Sequence, residues 1–177
     1  MTWVTLSLGS NQDAISNLTS CLDALLLNFT DLSLSSVFES EAVGFDGDNF
    51  LNMVVGINTD LELAELSHLL KSIEDKHGRD RSSPKFSGRT LDIDILTYAN
   101  MAGDFGGIHL PRPEITQNAF VLWPLSQVCS NEKHPVLKQS FKTLWSEFDK
   151  EKQIIWPIDF QWHGRFISKK IIRGLQS

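Results

Sequence analysis

Cysteine is nearly absent from this 177-residue chain: Cys21 and Cys129 are the only two, too few for a disulfide framework, and such thiols suit a reducing compartment. Each is expected to act as a small core hydrophobe. No apolar run approaches the roughly 18 residues of a membrane span. The opening Met1-Thr2-Trp3-Val4-Thr5-Leu6 has neither a charged leading segment nor a long apolar stretch, so no signal peptide is expected either. The cytoplasm is the expected location. Basic charge is also scarce, with 16 Lys and Arg against 22 Asp and Glu for a net charge of -6. Nucleic acid or an anionic membrane would need a net basic face, so neither is an expected partner, and any polyanion has to be held locally. No GxxxxGK[ST] or GxGxxG run occurs, which excludes a P-loop or a Rossmann turn. His68, His77, His109, His134 and His163 lack metal-ligand spacing. Asp104-Phe105-Gly106 spells a protein-kinase triplet, but without a glycine-rich loop or catalytic loop it reads as a turn.

What is present is a 41% apolar chain long enough for one real core, and residues 1–177 are expected to form a single domain. Val4, Leu6 and Leu8 alternate with Thr5 and Ser7 before Gly9-Ser10-Asn11, the pattern of a strand with one buried face. Ile15, Leu18, Leu22, Leu25 and Phe29 recur at helical spacing, which places them on one side of a first helix. Residues 32–39 and 50–58 are strand-like and flank a Gly- and Asp-containing loop, predicting an antiparallel pair. Thr59-Asp60-Leu61-Glu62 has capping-box spacing ahead of a second helix through Leu63, Leu66, Leu70, Ile73 and His77, with Gly78 as its C-terminal stop. Leu91, Ile93 and Ile95 then alternate with Asp92, Asp94 and Leu96 in a further strand. The order is β-α-β-β-α-β, the split βαβ arrangement of ferredoxin-like α+β folds, with helices packed on one face of an antiparallel sheet and the other face left for a site. Downstream, Pro111-Arg112-Pro113 predicts a loop, residues 119–128 a buried apolar segment and residues 138–149 a last helix. The tail beyond about residue 158 carries no assignable pattern.

The chemistry concentrates around Asp92 and Asp94. A period of two sends both carboxylates to one face, with Cα atoms roughly 6.5–7 Å apart. That spacing lets two side chains share hard cations, and an all-oxygen donor set favours Mg²⁺, which takes one or two carboxylates with phosphate oxygens and water. An isolated Asp-x-Asp more often lies on a solvated strand face. Here Arg79, Arg81, Lys85 and Arg89 crowd a segment also holding Ser82, Ser83, Pro84, Ser87 and Gly88. Such a basic, mobile loop can grip phosphate oxygens opposite a metal, and phosphoryl-type transfer needs little beyond positioning and charge compensation.

Ile73-Glu74, His77-Gly78-Arg79-Asp80-Arg81 and Gly88-Arg89-Thr90-Leu91-Asp92-Ile93-Asp94-Ile95 together resemble the signature of the 6-hydroxymethyl-7,8-dihydropterin pyrophosphokinases. Leu8-Gly9-Ser10-Asn11, Phe50-Leu51-Asn52 and Ala119-Phe120-Val121-Leu122-Trp123-Pro124-Leu125 extend the resemblance to about residues 3–130. It implies an enzyme of folate synthesis that passes the terminal pyrophosphoryl unit of Mg-ATP to the hydroxymethyl group of a reduced pterin, giving AMP and the pterin diphosphate. By the same resemblance Asp92 and Asp94 hold two Mg²⁺ ions, and Arg81 and Arg89 steady the phosphates. Glu74, Arg79, Lys85 and Phe86 fall on the nucleotide side. Phe50 and Phe120 stack on the pterin, Asn52 exchanges hydrogen bonds with its edge, and backbone around Ser40, Ala42 and Val43 completes the pocket. A monomer is expected, with a dimer as the alternative.

The chain departs from the family pattern on the nucleotide side. Leu110-Pro111-Arg112-Pro113 has arginine where the family usually has histidine, so a permanent cation replaces a titratable contact. Asn118 stands for an arginine, Phe86 for a tryptophan and Lys71 for a glutamine. Arg112 is therefore an additional nucleotide-binding candidate. A divergent paralogue with another pterin or nucleotide, and a non-catalytic pterin-binding module, remain as alternatives.

Overall fold

The computed structural model describes residues 1–42, 47–78 and 91–170. Val43, Arg79, Arg81, Lys85, Phe86 and Arg89, all singled out above, lie outside the described residues. The first strand, β1 (Thr2–Ser10), leads through α1 (Ala14–Asn28) to two short strands, β2 (Ser33–Leu34) and β3 (Phe38–Ser40), and then to the long β4 (Phe50–Thr59). α2 (Leu63–Lys76) and β5 (Asp92–Tyr98) follow. β5, β1, β4 and β3 lie side by side in that order, antiparallel throughout, and β2 also pairs with β4. This is the antiparallel α+β sheet expected from the element order.

Alternation along each strand divides the sheet into two faces. Val4, Leu6 and Leu8 of β1, Leu51, Met53, Val55 and Ile57 of β4, and Ile93 and Ile95 of β5 form one core with Leu18, Cys21, Leu22 and Leu25 of α1 and Leu63, Leu66, Leu70 and Ile73 of α2. Ile15, expected on this seam, is half exposed, because the packed stripe runs through Ala14, Leu18, Cys21, Leu22 and Leu25 and Ile15 falls beside it. Burial pushes the Cys21 thiol up to about 12, so it packs as a neutral hydrophobe. The capping box is not formed. Glu62 is the N-cap of α2 without a side-chain bond, and Thr59 Oγ1 instead accepts the Leu61 amide at 3.0 Å. Gly78, at φ 75°, does end the helix as expected, since a left-handed residue is easiest for glycine.

The single strand expected over 32–39 is broken. Ser35 bonds Val54 with both its amide and its hydroxyl, occupying ladder positions of β4, and the chain rejoins the sheet only at Phe38. Beyond β5 the chain forms a hairpin from β6 (Gly103–Phe105) and β7 (Ile108–Leu110), so the Asp104-Phe105-Gly106 triplet is a strand end and its turn. A 3-10 turn at Pro113–Thr116 precedes α3 (Ala119–Val128), and α4 spans Phe141–Glu147, shorter than the expected 138–149 because Ser140 caps it through the Thr143 amide. After α4, β8 (Ile155–Pro157) extends the main sheet beyond β3, and the tail beyond residue 158, without a sequence pattern, forms the hairpin β9 (Phe160–Trp162) and β10 (Arg165–Ser168). No described helix is long and apolar enough to cross a membrane.

Candidate active site

The face away from α1 and α2 is not wholly open, as the element order suggested, because α3 covers part of it. Val54 and Leu96 face Ile115, Val121, Leu122, Leu125, Cys129 and Phe141 in a second core. Trp3 approaches Gly56 so closely that a Cβ there would sit 2.2 Å from the indole, and its Nε1 donates to Glu132 at 3.0 Å. Beneath this cover the hydroxyls of Thr5 and Thr97 meet at 2.7 Å beside a register shift between β1 and β5.

The other end of the same face carries the candidate residues. Strand register aligns Asp92, Gly9, Asn52 and Phe38 across four strands, with Asp94, Ser7 and Val54 in the next row and Ser40 opposite Phe50. Asp92 and Asp94 thus share one face, as their spacing predicts, and both are partly exposed. Their neighbours on β1 are Gly9 and Ser7, two of the smallest residues, and the Asn52 amide takes the room that Gly9 leaves. Two carboxylates, with no group of three or more His, Cys, Asp or Glu side chains placed to hold a metal among the described residues, fit a hard cation that completes its shell with phosphate and water. They do not fit zinc, which wants three or four nitrogen or sulfur donors.

Asn52 is 6% exposed, and its Nδ2 lies 3.4 Å from the Ser40 hydroxyl. A Cβ on Gly9 would come within 2.8 Å of Asn52 Oδ1, so glycine here gives the amide its place. Phe50 and Ala42 are half-buried, and Phe120 packs at the edge of the second core. Phe38, fully buried, leads into a ladder of rings: Trp123 at 4.6 Å, Trp145 stacked 5.0 Å beyond it, and Phe148 5.7 Å further.

Glu74 sits on the opposite face. It is 6% exposed, and Oε2 accepts the Ile93 amide at 3.0 Å, so its described contact is with the backbone between the two aspartates. Arg112 is tied by its amide to the Leu96 carbonyl at 2.9 Å. Its guanidinium spans Asp94 Oδ1 (Nη2, 3.4 Å) and Glu114 Oε2 (Nε, 3.2 Å).

Sequence reasoning missed three supports. Glu39 accepts from Trp156 Nε1 at 2.9 Å and from Asn49 Nδ2 at 3.3 Å, joining β3, the 47–49 segment and β8. Gln153 accepts the Ala119 amide at 2.7 Å and donates to Asn118 Oδ1 at 2.8 Å, capping α3 from a distant loop. Neither glutamate nor glutamine carries a local signal for such a contact. The third, the placing of the small residues Ser7 and Gly9 beside the aspartates, follows from register.

The family model described as 7,8-dihydro-6-hydroxymethylpterin-pyrophosphokinase (HPPK) matches residues 5–130. The chain is 33% identical over 144 residues to the 2-amino-4-hydroxy-6-hydroxymethyldihydropteridine pyrophosphokinase of Aquifex aeolicus, covering 80% of this chain and 89% of that one. It is 36% identical over 134 residues to the enzyme of that name from Porphyromonas gingivalis, covering 72% and 91%. The solved structure of Plasmodium falciparum HPPK-DHPS wild type with pteroate superposes with a TM-score of 0.72 at 14% identity, covering 94% of this chain and 47% of that one, a likeness of fold. With the site face and these likenesses in agreement, the chain belongs to the 7,8-dihydro-6-hydroxymethylpterin-pyrophosphokinase family.

Proposed function

We propose that the chain catalyses pyrophosphoryl transfer from ATP to the hydroxymethyl group of 6-hydroxymethyl-7,8-dihydropterin, giving AMP and the pterin diphosphate in folate biosynthesis. The observation that carries this reading is the row in which Asp92, Gly9 and Asn52 lie side by side on the sheet face away from α1 and α2, with Asp94 in the next row. A pterin edge bonded by Asn52 would lie about two strand spacings, roughly 10 Å, from the carboxylates. That distance suits a hydroxymethyl arm reaching toward a phosphate held at Asp92 and Asp94.

Asn52 orients the acceptor through paired hydrogen bonds, with Phe50 and Phe120 offering flat faces to the ring and Ser40 and Ala42 beside it, Val43 being assigned to the pocket by family resemblance alone. The substrate hydroxyl oxygen attacks the β-phosphorus, the bond from that phosphorus to the bridging oxygen of the α-phosphate breaks, and AMP departs with that oxygen while the hydroxyl proton passes to solvent. Two Mg²⁺ ions, when bound to Asp92 and Asp94, neutralise phosphate charge. Arg81 and Arg89 steady the phosphates, with Arg79, Lys85, Phe86 and Arg112 also on the nucleotide side, all by family resemblance. Glu74 acts through β5 by holding the Ile93 amide, which fixes the relative aim of the flanking carboxylates. No covalent enzyme intermediate is required. In this reading the chain works as a monomer and as one domain over residues 1–177, since every group invoked belongs to one chain, and in the cytoplasm, which its two unpaired thiols suit.

A coupled assay of AMP release with Mg-ATP and the reduced pterin tests this. Turnover is expected, and Asp94→Ala should lower kcat at least about 10²-fold, about 2.7 kcal/mol at the barrier. Pterin binding without turnover in the native chain, or an unimpaired Asp94→Ala, would overturn the reading.

A further inference from the structure

Arg112 puts a fixed positive charge on one of the two carboxylates that the proposed function assigns to metal. Its Nη2 lies 3.4 Å from Asp94 Oδ1, while its Nε lies 3.2 Å from Glu114 Oε2. Its backbone is pinned to β5 through the Leu96 carbonyl, so the guanidinium cannot drift far from Asp94. The hold on Glu114 is one of charge, because the sealed Oε2 has no aligned hydrogen bond despite the short separation. Such a contact constrains direction weakly, and the head group can turn about it. The Arg112 and Asp94 side chains are 33% and 44% exposed, leaving room for that movement.

We infer that Arg112 is a built-in counter-cation for the metal site: it neutralises Asp94 while no nucleotide is bound and turns to the phosphates when they arrive. The inference rests on the metal role proposed for Asp94. A Mg²⁺ about 2.1 Å from a carboxylate oxygen would stand within about 6 Å of this guanidinium. Even at the dielectric of water the repulsion between those charges weakens metal binding roughly tenfold. A triphosphate removes the conflict, since it supplies negative charge to both cations and a guanidinium binds phosphate oxygens bidentately. The consequence is coupling: metal alone is held poorly, whereas metal with nucleotide is held well, and each strengthens the other by the same factor.

The test is Mn²⁺ binding followed by electron paramagnetic resonance on the full chain, without pterin and without turnover. Arg112→Gln, which keeps the backbone tie, should bind Mn²⁺ about tenfold more tightly than the native chain when no nucleotide is present. With a non-hydrolysable ATP analogue that advantage should vanish or reverse. Glu114→Gln, which leaves Asp94 as the neighbouring acid, should weaken Mn²⁺ binding in the free protein. Unchanged or weaker Mn²⁺ binding in Arg112→Gln, or a gain that persists undiminished with the analogue, would overturn the inference. Because the free protein's Mn²⁺ affinity is read without any reaction, a chain that fails to turn over the pterin could still pass this test, and an active enzyme could fail it.

Discussion

The two ends of one sheet face differ in what stands above them. At the end nearest Trp3 the face is packed: the indole meets Gly56, α3 covers Val54 and Leu96, and the two buried hydroxyls satisfy each other. At the other end Gly9 and Ser7 are the small residues of β1 beside Asp92 and Asp94, and the Asn52 amide takes the room at Gly9. The same two strands, β1 and β4, run through both. The difference lies in side-chain size and in whether a helix returns over them, and it separates a region that stabilises the fold from one that can hold a ligand. Glycine does the same work in each: at Gly56 it admits the Trp3 ring, and at Gly9 it admits the Asn52 amide.

If that division is real, substitutions at the two ends should fail differently. The largest effect is expected from Leu96→Ala, which empties a fully buried position under α3; unfolding in urea should show a loss of about 2–5 kcal/mol, with turnover preserved while the chain is folded. A loss of catalysis without loss of stability would break the comparison. Gly9→Ala should do the reverse. The added methyl meets Asn52 Oδ1 and displaces the amide, so calorimetry should show pterin affinity about tenfold weaker, about 1.4 kcal/mol, with little change in stability.

The smallest effect concerns the support beneath the covered end. His134 Nδ1 accepts the Val136 and Leu137 amides at 3.2 and 3.1 Å, and its ring meets Phe141 of the second core edge-on. Burial holds this imidazole below its ordinary value. Between the lowered value and the usual one near 6.5 the unfolded chain binds more protons, so stability rises with pH there. The contribution is complete above about pH 6.5 and is lost as pH falls through the lowered value. Urea titrations at pH 8 and pH 5 should show it, and His134→Asn should flatten that part of the difference; an equal slope in the variant would assign the pH dependence elsewhere.

How much of this was legible in the sequence depends on whether the cause was local. Alternation in β1 and β5 and the 3-4 spacing in α1 and α2 name the core residues directly, because each element presents one apolar side. The Asp92 and Asp94 pair is visible for the same reason. Register is what places Asn52 beside Gly9, and register was predictable only once the element order implied the strand neighbours. Thr59 had the spacing of a cap, yet its hydroxyl was taken by the Leu61 amide, a competing local bond of the kind short polar side chains often make. The contacts of Gln153 with Ala119 and Asn118, and of Trp156 with Glu39, join segments 34 to 117 positions apart. No periodicity announces them. The Arg112 bridge was half visible: the odd arginine was plain, its seat on Asp94 was not.

The strand at Ile155–Pro157 bears on how such a protein can be cut. The likeness to the family model stops at residue 130, but hydrogen bonding across the sheet continues to Pro157. A fragment ending where the likeness ends would keep both aspartates and Asn52. It would also leave Glu39 without its indole donor, α3 without the glutamine at its first amide, and the outer backbone groups of β3 bare to pair with a neighbouring molecule. For this chain the stretch matched by the family model is shorter than the unit that completes the sheet.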